Sequence, residues 1–62
     1  MKRVEADEFH EEFERLVHEQ DLTSEAVARK LDVSRPTVER WMAREYSPHP
    51  LIAPIFLREL AK

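Results

Sequence analysis

From residue 7 onward, Phe9, Phe13, Leu16 and Val17 recur at i, i+4, i+7 and i+8, the spacing of one helical face, while Glu8, Glu11, Glu12 and Glu14 fall elsewhere on the cylinder. The pattern predicts a first helix over residues 7–19, capped by Asp7, favoured by the acids of its first turns and ending before a Gln20-Asp21 turn. Thr23 offers its hydroxyl to the start of a short second helix over about residues 23–31, with Leu22 before it as a staple and Arg29 and Lys30 in the last turn. After Asp32-Val33, Ser34 caps a third helix over about residues 34–45, in which Pro36 is tolerated because its missing N–H falls in the first turn. At 100° per residue Val38, Trp41 and Met42 share one side of that helix, and Pro36, Arg40, Ala43 and Arg44 share the other. Ser47-Pro48-His49-Pro50 reads as a stiff connector, with His49 structural between its prolines, and a last helix starts at Pro54 and carries Ile55, Phe56, Leu57 and Leu60.

Composition narrows the class. The 62 residues contain no cysteine and no glycine, so thiolate metal sites, disulfides and the glycine-rich loops that cradle phosphates are all excluded. Together with 37% charged residues, this favours one all-α domain. A chain this short buries only about 60% of its unfolded surface, which makes its stability small. No apolar run is long enough to span a bilayer and the first residues do not resemble a signal peptide, so the expectation is a cytoplasmic protein without a membrane segment.

The net charge of −3 argues at first against a nucleic-acid partner, but its distribution reverses that. Residues 1–21 carry 3 basic and 8 acidic side chains, a net −5, whereas residues 29–44 carry 5 basic and 2 acidic, a net +3. The acidic stretch is read as a solvated helix surface. His10, Glu14 and His18 stand at i, i+4 and i+8, a spacing able to ligate a metal, but no further ligand completes a site, and a solvated face is the reading taken. No nucleophile, base and orienting group fall together, so no enzyme activity is expected, and no cofactor or small-molecule ligand is implied.

Two short helices joined by a tight turn suggest a helix-turn-helix, and the spacing of their residues tests it. Counted from Ser24 as position 1, two helices crossing steeply need apolar residues at positions 4, 8, 10, 15 and 18 and a small one at position 5; these are Val27, Leu31, Val33, Val38, Trp41 and Ala28. Position 9 calls for a left-handed backbone, normally glycine, and Asp32 stands there.

Over residues 22–41 the chain resembles the Cro and phage-repressor (XRE-type) family of helix-turn-helix domains. The resemblance implies a lambda-repressor-like bundle of four or five helices whose third helix lies in the major groove of double-stranded DNA. Arg35, Pro36, Thr37 and Arg40 would then face base edges or flanking phosphates, and Ser24 would approach the phosphate backbone where the family often has glutamine. The family commonly has a glycine where Arg44 or Glu45 stands.

Side-chain chemistry agrees. Arginine offers two donors to guanine, threonine a hydroxyl and a methyl, and the Ser34-capped helix start free N–H groups for a phosphate. Arg40 is the first candidate for base reading; Arg35 and Arg44 suit phosphates, with Arg29 and Lys30 behind them. Glu39 either accepts from cytosine or orients an arginine. Trp41, Phe9, Phe13 and Phe56 are assigned to the core, whereas Ile55 projects away from Phe56 and Leu60 and, with Leu51 and Ile52, offers a homodimer contact. The expectation is a small transcriptional regulator that binds specific duplex DNA; the alternative is a protein-interaction module on the same scaffold, using the acidic first helix or the C-terminal apolar surface.

Overall fold

The computed structural model describes residues 3–62, which form four helices and no strand. They are α1 (Ala6–Gln20), α2 (Ser24–Leu31), α3 (Arg35–Met42) and α4 (Ala53–Ala61). This is a small all-α bundle in which α2 and α3 pack together as a helix-turn-helix, while α1 and α4 close the other side.

Local chemistry accounts for the two short helices. The Thr23 hydroxyl accepts the Ala26 N–H at 3.1 Å, and the Ser34 hydroxyl accepts the Thr37 N–H at 3.3 Å, so each helix begins on its own side-chain cap. Helix endings are more unusual. Asp21, Asp32 and Arg44 adopt left-handed backbones with φ of 52°, 57° and 61°. At each, one N–H reaches back five residues (Leu22 to Val17, Val33 to Ala28, Glu45 to Arg40), which closes the helix in the manner that glycine usually permits. At the first two ends Val17, Leu22 and Val33, which take part in these bonds, also pack against the core.

The core is built on aromatic rings. Phe9 and Phe13 of α1 stack at 5.3 Å, and Trp41 of α3 meets both edge-on at 5.5 and 5.7 Å. Phe56 of α4 closes the group on Trp41 at 5.3 Å. Val27, Leu31, Val38, Ala53 and Leu60 fill the remainder, so all six spaced helix-turn-helix positions lie in or against the core.

Three boundaries differ from the sequence pattern. Helix α1 starts at Ala6 with Glu5 in the extended cap position and no side-chain cap, so Asp7 acts through the helix dipole rather than as a cap. The cause is a distant contact: buried Val4 donates its N–H to the Pro50 carbonyl at 3.0 Å and thereby sets where the chain enters the helix. Helix α4 starts at Ala53, because the His49 carbonyl accepts the N–H groups of both Ile52 and Ala53. Helix α3 ends at Met42, short of Arg44 and Glu45, because the left-handed turn at Arg44 carries the chain away.

A ring removed from the centre of so small a core has no redundancy behind it. Phe13→Ala is expected to lose about 3–5 kcal/mol, comparable to the entire stability of a domain of this size. Its circular dichroism should show no cooperative thermal transition above room temperature; a midpoint within a few degrees of wild type would contradict the assignment of Phe13 to the core.

Candidate nucleic-acid interface

The outer face of α3 is set by its inner face. Val38 is fully buried and Trp41 is 3% exposed, which leaves Arg35, Pro36, Glu39 and Arg40 on the solvent side. Thr37 is half-buried; its hydroxyl lies 2.7 Å from that of the capping Ser34, so the two hydroxyls share a hydrogen bond at the helix entrance. A shallow groove lined by Thr23, Ser24, Glu25, Arg35 and Glu39 runs between the starts of α2 and α3.

The cations on and around this face differ in their partners. Arg35 donates from Nε to Glu39 at 3.1 Å across one helical turn, so Glu39 orients an arginine in the free protein. Arg29 pairs in the same way with Glu25. Exposed pairs of this kind contribute at most about 1 kcal/mol, so a phosphate exchanges for either carboxylate at little loss. Lys30 is directed elsewhere: its ammonium bonds the Gln20 side chain at 3.2 Å and the Lys62 carbonyl at 2.8 Å, joining α2 to the ends of α1 and α4. Arg40 is exposed and, among the described residues, has no ion-pair or side-chain hydrogen-bond partner.

Two residues are not placed as expected, Ser24 from the resemblance and Arg44 from the helical pattern. Ser24 is half-buried and donates its hydroxyl to the Met42 sulfur at 3.4 Å, so the side chain ties the start of α2 to the end of α3. Arg44 does not continue the exposed face of α3. It sits beyond the helix, and its guanidinium grips Glu14 of α1 with two bonds of 3.0 Å each.

The grip on the α3 exit has a second part that the sequence did not reveal. His10, read from the sequence as solvent-facing, is 5% exposed and its Nε2 lies 2.8 Å from the Tyr46 carbonyl. A carbonyl only accepts, so Nε2 carries the hydrogen. His10 packs at the edge of Phe9 and stands one turn before Glu14, so one face of α1 holds both the main chain at Tyr46 and the side chain at Arg44. His10 lies three residues before Phe13 and seven before half-buried Val17, at the margin of the apolar stripe, and that position was the available clue. With His10 and Glu14 engaged in this way, no group of three or more potential metal ligands occurs among the described residues.

No family model, curated protein or solved structure matches the chain.

The Arg44 hydrogen bond holds the Glu14 carboxyl below the usual carboxylate range; burial opposes it, and the positive fields of Arg44 and His10 reinforce it. A carboxyl depressed on folding stabilises the native state above its unfolded pKa, and that contribution is lost as pH falls through the folded value. Wild type is therefore expected to melt higher than Glu14→Gln near neutral pH. The gap should close on acidification below the ordinary carboxylate range, as read by thermal melts across pH; a gap independent of pH would contradict the clamp.

Proposed function

We propose that the chain binds double-stranded DNA in a sequence-dependent manner, with α3 in the major groove, as a small, non-catalytic, cytoplasmic transcriptional regulator of the Cro and phage-repressor kind. The observation that carries this reading is Arg40: an exposed, unpaired arginine on a helix whose opposite face is locked into an aromatic core. A long cation without a partner on a rigid helix suits bidentate reading of guanine O6 and N7. Arg35, at the start of the same helix, exchanges Glu39 for a phosphate. The charge distribution supports the same orientation, because the acidic α1 surface repels DNA that approaches from the other side.

Each chain presents one α3, so recognition of two half-sites roughly 34 Å apart calls for a second copy. Tyr46, Leu51, Ile52 and Ile55 are the exposed large apolar residues among those described, and all fall between residues 46 and 55. Leu51, Ile52 and Ile55 are the side chains offered for a homodimer contact, and Tyr46 is a fourth exposed apolar side chain in the same stretch of chain. This exposed stretch is also the observation that favours the second reading, in which the same patch binds another protein.

Two measurements test the function. Arg40→Ala is expected to weaken binding to a selected duplex by about 5- to 150-fold, the equivalent of 1–3 kcal/mol, and to relax base preference at one position. Equal affinity of both proteins, insensitive to salt, would overturn direct readout. In sedimentation, wild type should rise above the 7.4 kDa of one chain as concentration increases, and Ile55→Lys should remain at it; a constant single-chain mass for wild type would remove the dimer.

A further inference from the structure

On the footing of the DNA-binding reading, we propose that Glu14 is an internal substitute for a DNA phosphate, holding Arg44 in the free protein and competing with the backbone for it when DNA binds. Arg44 lies immediately beyond α3, where the chain leaves the candidate interface. Its planar fork matches a carboxylate or a phosphate equally well, and Glu14 fills it with the two-point geometry of such complexes: Nε to Oε2 and Nη2 to Oε1, both at 3.0 Å. The pair joins positions thirty residues apart, so helical proximity does not explain it. Both side chains remain half-exposed, at 49% and 42%, and a phosphate therefore reaches the guanidinium without any rearrangement of the core. Glu11 and Asp7, further up the same helix, add their negative fields at Arg44 without bonding to it.

Competition of this kind leaves a mark on salt dependence. A phosphate contact releases a condensed cation from DNA, and as long as Glu14 retains Arg44 that contact and its ion release are withheld. With Glu14 neutral, Arg44 becomes a full contact and the slope of log K against log salt steepens by about 0.9. Between about 50 and 200 mM salt this corresponds to a change of about 3.5-fold in the affinity ratio of variant to wild type. The α3 exit keeps its other anchor, because His10 still holds the Tyr46 carbonyl when Glu14 is altered.

The test is a thermodynamic cycle on a selected duplex, measured across that salt range with the full chain. Glu14→Gln should tighten binding and steepen the slope by about 0.9, yet change neither in an Arg44→Ala background; Glu11→Gln, which removes a nearby charge without freeing a hydrogen bond, should leave the slope unchanged. A gain that persists without Arg44 would show simple repulsion, and weaker binding by Glu14→Gln would show that the pair only positions α3; either overturns the proposal. Binding that depends on Arg40 but is indifferent to Glu14→Gln overturns this proposal alone. Absence of duplex binding by every variant overturns the DNA-binding reading with it.

Discussion

The position of Trp41 determines what the rest of this protein presents to its surroundings. A short helix has little intrinsic stability and no preferred orientation of its own. Trp41 gives α3 both, because its ring is enclosed by Phe9 and Phe13 from α1 and Phe56 from α4. With that side fixed, rotation of α3 about its axis is fixed as well, and the neighbouring Arg40 has only solvent to face. In a chain of 62 residues the same contact that closes the core thus defines the exposed surface.

The second constraint is the ending of helices without glycine. A left-handed non-glycine residue carries a penalty of roughly 1–2 kcal/mol, which aspartate tolerates better than most through its short polar side chain. Asp21 and Asp32 meet that condition locally, and the apolar contacts of Val17, Leu22 and Val33 reinforce their turns. Arg44 has no such advantage; its turn is held from outside, by Glu14 on its guanidinium and by His10 on the Tyr46 carbonyl. One end of the candidate interface is therefore anchored to the acidic helix, and the charge polarity of the chain is a structural linkage as well as a surface property.

What the sequence made legible was whatever depends on near neighbours. The caps at Thr23 and Ser34 act across three residues, and the apolar stripe of α1 and the spaced core of α2 and α3 follow helical period, so all were readable in advance. Asp32 in a left-handed turn was likewise legible from its place at position 9 of the helix-turn-helix spacing. The rest depended on partners far along the chain. The start of α1 is set by Val4 on Pro50, the burial of His10 by Tyr46, and the direction of Arg44 by Glu14, none of which leaves a local spacing to detect. Helical periodicity alone carried α3 on to residue 45, whereas the observed turn ends it at Met42 and moves Arg44 out of the row of Arg40.

Amide chemical-shift mapping by NMR, with duplex DNA titrated into the isotope-labelled chain, tests whether α3 is the element that meets DNA. Shifts are expected to concentrate in residues 34–44 and at the start of α2, with the acidic face of α1 quiet apart from the neighbourhood of Glu14. Silence across α3, or shifts confined to the apolar surface of Leu51, Ile52 and Ile55, would contradict that expectation.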